Sequence, residues 1–107
     1  MGMGRVLVAD DEDGLRWVLE RGFRSAGYDV TAVKDGTAAL REAEAQPFDL
    51  VIVDVRMPGM DGLTLLGHLR TLRPEAQVVI MTAHGTMETA IQAMKRGAYD
   101  YLAKPFD

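Results

Sequence analysis

Cysteine is missing from this chain of 107 residues, and its two histidines, His68 and His84, have no partner at metal-ligand spacing. A disulfide scaffold and a zinc site are excluded on that inventory. Basic residues are not in surplus: 12 Lys and Arg stand against 16 Asp and Glu, a net charge of −4. Phosphate backbones are held mainly by clustered Lys and Arg, so direct nucleic-acid contact is not expected and DNA binding would need another domain. Long apolar runs are lacking too. The longest extend four or five residues, far short of a bilayer span, and the opening MGMGRVLVADD has no apolar signal-peptide core. A cytoplasmic protein without membrane contact is the expectation. There is no low-complexity stretch or visible linker, and a hydrophobic content of 48% suffices for a core, so residues 1–107 read as one domain.

What is present is acid at the ends of apolar runs. RVLVADDED, Arg5 to Asp13, runs into Asp10 and Asp11, and DLVIVD, Asp49 to Asp54, ends in Asp54. If both runs are buried parallel strands, their carboxyl ends lie side by side, and three carboxylates converge where open α/β sheets bind ligands. Two unit charges about 5 Å apart repel by about 3 kcal/mol at an effective dielectric near 20, so such a cluster calls for Mg²⁺ or a lysine.

The rest of the chain alternates between strand-like and helix-like segments. Val6 to Ala9 reads as the first strand, and Leu15, Val18, Leu19, Gly22, Phe23 and Ala26 recur at helical spacing until Gly27. Tyr28 to Val33 reads as the second strand, followed by a helix over Thr37 to Gln46 with Leu40 and Ala43 inward, ended by Pro47. Asp49 to Val53 is the third strand, and after the loop DVRMPGMDG the stripe Leu63, Leu66, Leu69 and Leu72 marks a third helix. Gln77 to Met81 is the fourth strand. Met87, Ala90, Ile91 and Met94 mark a fourth helix ended by Gly97, with Met81 and Met94 as core fillers and no methionine-rich binding face. Tyr99 to Leu102 is the fifth strand. This alternation implies a doubly wound α/β fold, a parallel five-stranded sheet with helices on both faces.

The polar residues fall at one edge of that sheet. Asp10 and Asp11 close the first strand, Asp54 the third, Thr82 the fourth, and Lys104 follows the fifth. Mg²⁺ takes six oxygens, keeping several waters beside one or two carboxylates. A carboxylate is also a nucleophile for phosphoryl groups, and such transfer needs positioning and charge neutralisation, which Mg²⁺, the Lys104 ammonium and the Thr82 hydroxyl could supply.

The set VADDED, DVRMPGMDG, VVIMTAHGT and GAYDYLAKPFD, in this order, resembles the receiver domain of two-component response regulators across the whole chain. The stretches LRWVLE, MTAH and AYDYLAKPFD resemble in particular receivers of the nitrogen-regulatory NtrC class, whose full proteins commonly activate sigma-54-dependent transcription. The resemblance implies a flavodoxin-like sheet of order 2-1-3-4-5. It implies that Asp54 accepts a phosphoryl group from a sensor histidine kinase. Asp11 would bind Mg²⁺ directly, Asp10 through water, and the Arg56 carbonyl would be a further ligand beside Asp54. Thr82 and Tyr101 would be the switch pair and Lys104 would contact the phosphoryl group, while Arg56 and His84 occupy positions that tune its lifetime. The output, a sigma-54 activator of the AAA+ kind with a DNA-binding domain, would lie outside these residues. Receivers usually continue beyond Phe106-Asp107 into a fifth helix, so the domain reads as truncated before it, with an apolar face that self-association would cover.

Each residue also has a plainer role available. Asp11 and Asp13 suit the start of the first helix as cap and dipole partners, and Asp54 alone suits a strand-end turn. Thr82 and Lys104 taken singly read as a loop hydroxyl and a solvated surface lysine, although Pro105 suggests a fixed peptide that aims Lys104 inward. Tyr101 could simply separate core from solvent. Trp17 falls off the apolar stripe beside Arg21 and Arg24, where arginine stems would pack on a half-exposed ring. Three rival functions remain. An aspartate-based phosphatase wants an acid where Arg56 stands, a flavin module would be repelled by Asp10, Asp11 and Glu12, and a docking module would use the fold without phosphorylation.

Overall fold

The computed structural model describes residues 4–83 and 85–104. Strands and helices alternate strictly: β1 (Arg5–Ala9), α1 (Asp13–Ser25), β2 (Asp29–Val33), α2 (Gly36–Ala45), β3 (Leu50–Asp54), α3 (Gly62–Leu72), β4 (Gln77–Thr82), α4 (Met87–Lys95) and β5 (Asp100–Ala103). The five strands form one parallel sheet in the order β2-β1-β3-β4-β5. Every expected element is present, with ends moved by one or two residues. Two of those shifts matter, because β3 includes Asp54 and β4 includes Thr82, so both polar residues are fixed by the sheet itself.

Successive strand residues point to opposite faces, and the apolar residues divide accordingly. Leu7, Val51, Val53, Val78 and Ile80 face Ala39 and Ala43 of α2, Leu65, Leu66 and Leu69 of α3, and Ala93 of α4. Val6, Val8, Val30, Ile52 and Met81 face the other way, toward Leu15, Leu19 and Phe23 of α1 and Tyr28. Near-continuous Val, Leu and Ile in β1, β3 and β4 is what burial on both sides requires.

The helices begin where the chain supplies caps. Asp35, Asp61 and Thr86 accept N–H bonds from Ala38, Thr64 and Thr89 at 2.7, 2.8 and 3.1 Å. Helix α1 differs: its N-cap is Glu12, with no side-chain cap. Asp11 is therefore not the cap that the sequence offered, and the acid in the first turn of α1 is Asp13. Gly27 and Gly97 end α1 and α4 at φ 99° and 95°, a conformation that glycine adopts without strain.

Several burial expectations are corrected. Leu65 is fully buried although it lies off the expected stripe, whereas Leu63 is only half-buried and Leu72 is exposed. In α2 the fully buried pair is Ala39 and Ala43, with Leu40 only partly covered. Val18 is exposed, and no residue of α1 is fully buried. Met81 is a core filler as expected, but Met94 is not: it is 50% exposed, and Ala93 is the only α4 residue that is buried. Periodicity located these helices correctly, but the depth of each residue depends on which neighbours cover it.

Candidate functional site

Strand register brings the polar residues together. Ala9 is paired with Val53, so the next residues, Asp10 and Asp54, emerge side by side. Thr82 is paired with Ala103, which sets Lys104 one step beyond the same edge, its N–H donating to the Thr82 carbonyl at 2.8 Å. The backbone behind Asp54 is held closely. A Cβ on Gly62 would lie 2.3 Å from the Asp54 carbonyl oxygen, so only glycine lets the first turn of α3 press against this strand end. Sequence reasoning did not single out Gly62, although its place directly after the cap Asp61 was the available signal.

The side chains form one buried network. Lys104 Nζ donates to Asp10 Oδ2 at 3.0 Å and to Asp54 Oδ2 at 3.1 Å. The remaining oxygens are also engaged: Asp10 Oδ1 accepts the Glu12 N–H at 2.8 Å, and Asp54 Oδ1 accepts the Arg56 N–H at 3.3 Å. Arg16 Nη1 donates to the Asp10 carbonyl at 2.9 Å while Nη2 pairs with Asp13. That guanidinium was not anticipated from the sequence. It satisfies a main-chain oxygen at the end of β1.

Charge in this network is unbalanced. Asp10 is fully buried, Asp54 and Lys104 are nearly so, and exposed Asp11 completes a group of three carboxylates whose ligand oxygens lie within 4.8 Å of one another. One ammonium cannot neutralise three carboxylates. Burial pushes the Asp54 carboxyl up from the ordinary range, opposed by its bond to Lys104, so part of the cost of the buried charge is left uncompensated. Lys104 is raised as well: burial works against its charge, but the hydrogen bonds and charges of Asp10 and Asp54 outweigh it. An all-oxygen, net-negative cluster with one partner open to solvent fits a hard divalent cation.

Thr82 and Tyr101, the pair expected to act as a switch, lie at the same end of the molecule. Thr82 is buried, and Tyr101 is half-buried with its hydroxyl inside the protein, where it has no hydrogen-bond partner among the described residues. Arg56 is exposed, and its N–H reaches Asp54. His84 and Pro105 lie outside the described residues. Trp17, 57% exposed, carries the Arg21 guanidinium 4.8 Å from its ring centroid, as expected, whereas Arg24 pairs with Glu20 instead.

Comparison with known proteins agrees with this fold. Residues 6–107 match the response regulator receiver domain. The chain belongs to this family. It is 44% identical over its full length to the DNA-binding transcriptional regulator NtrC of Escherichia coli K12, covering 23% of that protein. The receiver thus spans about a quarter of the length of the curated relatives it matches. Among solved structures it superposes at a TM-score of 0.92 on a response regulator of Burkholderia pseudomallei, with 36% identity over 96% of this chain and 61% of the other. That structure carries a phosphorylated aspartic acid and a calcium ion. The chemotaxis protein CheY4 of Vibrio cholerae also superposes at 0.92, with 30% identity over 99% of this receiver and 90% of that chain. The fold is the flavodoxin-like one that the sequence implied, and a receiver is a regulatory domain, a phosphorylation-dependent switch. Among the described residues no helix is long and apolar enough to cross a membrane.

Proposed function

We propose that this receiver accepts a phosphoryl group on Asp54 from a sensor histidine kinase, with Mg²⁺, and passes the change to a downstream output. The observation that carries this reading is the position of Asp54: buried at the sheet edge, bonded to Lys104 at 3.1 Å, and grouped with Asp10 and Asp11. A carboxylate oxygen of Asp54 forms the new P–O bond as the P–N bond to the donor histidine breaks. Lys104, already aimed at that carboxylate, neutralises charge on the phosphoryl oxygens, and the Thr82 hydroxyl donates to another. Asp11 and Asp54 would hold Mg²⁺ directly, Asp10 through water, and the Arg56 carbonyl would add an oxygen. When bound, the cation spreads the negative charge of donor and acceptor. The domain in this way assists transfer onto and off its own Asp54, with Arg56 and His84 setting how readily water ends the phosphorylated state.

Thr82 and Tyr101 are the pair that would relay the phosphoryl charge to α4 and β5. The output is a transcription activator outside this chain, of the sigma-54 AAA+ kind with its own DNA-binding domain, and a cytoplasmic location follows from such a partner. We assign residues 1–107 to one receiver domain. Its groove of about 400 Å³, lined by Leu15, Val18, Leu19, Phe23 and Tyr28, is the surface by which it would self-associate.

Intact mass after incubation with Mg²⁺ and acetyl phosphate tests the central claim. One phosphoryl group should be gained, and none by Asp54→Asn. No gain by the native chain at any concentration would favour a docking module that works without phosphorylation. Replacing Mg²⁺ with Ca²⁺ should leave metal binding detectable and slow the transfer, which separates the cation held from the cation used.

A further inference from the structure

Gly85 follows β4 and precedes the cap of α4, and its backbone does not require glycine. The residues with positive φ are Gly4, Gly27, Gly59 and Gly97, so Gly85 lies outside the left-handed region. What a side chain there would meet is the far end of another side chain, which would have to move. A Cβ at this position would stand 2.7 Å from the Tyr101 hydroxyl, 3.1 Å from Thr82 Cγ2 and 3.4 Å from Tyr101 Cε1. The first of these is closer than real Cβ atoms approach anything, and the second is tight. The clash is thus with the two residues that we read as the switch pair. Tyr101 is drawn in over Gly85, and its hydroxyl reaches that buried position without finding a hydrogen-bond partner among the described residues. A buried hydroxyl left unpaired opposes the inward position, so the ring is held there by its packing on the core, in space that glycine leaves clear.

We propose that Gly85 sets the resting position of Tyr101: the missing methyl group at residue 85 is what admits the ring, and any larger residue there drives it out to solvent. The consequence for signalling rests on the reading of Thr82 and Tyr101 as a switch pair, since moving the ring outward changes which of its positions is populated before Asp54 is phosphorylated. The steric relation itself stands without phosphorylation and is measurable in the unphosphorylated chain.

The test is acetylation of tyrosine hydroxyls by N-acetylimidazole, mapped by peptide mass spectrometry, in the native chain and in Gly85→Ala. Tyr99, 62% exposed, serves as the internal standard. A buried hydroxyl reacts only through transient opening, so Tyr101 should react about tenfold more slowly than Tyr99 in the native chain and within about twofold of it in Gly85→Ala. Equal protection of Tyr101 in both proteins, or a freely reactive Tyr101 in the native chain, would overturn the proposal. Urea unfolding provides the second measurement. Gly→Ala at a compatible backbone stabilises by restricting the unfolded chain, so any loss in Gly85→Ala reports the contact. That loss should shrink in a Tyr101→Phe background, where the nearest atom left of Tyr101 is Cε1 at 3.4 Å and only Thr82 Cγ2 at 3.1 Å stays tight. An equal loss in both backgrounds sinks the idea. If Gly85→Ala alone does not fold, rescue by Tyr101→Phe supports it and failure of rescue refutes it. Phosphoryl uptake by the native chain is scored separately, so a chain that takes no phosphate would defeat the switch reading while the tyrosine data still decide the role of Gly85.

Discussion

Helices α3 and α4 lie on the same side of the sheet, and each presents apolar residues at helical spacing, yet they are held very differently. Leu65, Leu66 and Leu69 of α3 are fully buried against β3, β4 and α2. In α4, Met87 is 80% exposed, Ile91 47% and Met94 50%, and only Ala93 is buried. A period of 3.6 residues shows that a segment is a helix with one apolar face, but not whether anything covers that face. The difference also bears on the switch. Elements that move in regulation come from the weakly held end of a structure, and of these two helices α4, which adjoins Gly85, Thr82 and Tyr101, is the less deeply buried. Helix α3, pressed against Asp54 through Gly62, belongs to the fixed frame.

The largest effect should come from the residue that ties the two regions together. Lys104 follows β5 and reaches Asp10 and Asp54 at the ends of β1 and β3. Lys104→Met leaves two buried carboxylates without their cation and should cost about 3–5 kcal/mol at neutral pH without metal, read by urea unfolding. Mg²⁺ should recover much of that loss. Because the Lys104 pKa is raised in the folded chain, its contribution is fully present below the ordinary lysine range and is lost as pH rises through the raised value. A variant as stable as the native chain would mean that the lysine does not join the halves.

Within the frame itself, Leu69→Ala should destabilise by about 2–5 kcal/mol, through lost burial and the cavity left behind. A loss below about 1 kcal/mol would show that α3 is no better fixed than its neighbour.

Asp54 gives a smaller effect of opposite sign. Burial raises its carboxyl pKa in the folded chain, so the native state holds that proton more tightly than the unfolded state does. Stability contributed by this group is therefore greatest at acidic pH and falls as pH rises from the ordinary carboxylate value through the raised one. Asp54→Asn should flatten that fall and raise the unfolding midpoint at neutral pH without metal. A midpoint lowered by the substitution would show that the Lys104 bond outweighs burial.

The smallest effect sharpens the comparison most directly. Ile91→Ala in α4 should change stability by less than about 1 kcal/mol, because half of its side chain is already in water. Amide exchange should show the same order, with α4 protection well below that of α3. Comparable protection of both helices would remove the distinction.

Much of this protein was legible from local pattern. Apolar runs with glycine and proline stops placed all nine expected elements, since strand and helix periods and chain breakers act over a few residues. The acids at the ends of β1 and β3 pointed to the carboxyl edge, and parallel pairing then required that Asp10 and Asp54 meet. The sequence therefore determined the elements, their order and the chemistry of the edge. Other features depend on which distant residues share a space. The burial of Leu65 in place of Leu63, the exposure of Met94, the bond from Arg16 to the Asp10 carbonyl, and the clearances at Gly62 and Gly85 are of this kind. Periodicity describes a segment alone, whereas burial and close approach are relations between segments far apart in the chain, and only the folded packing decides them.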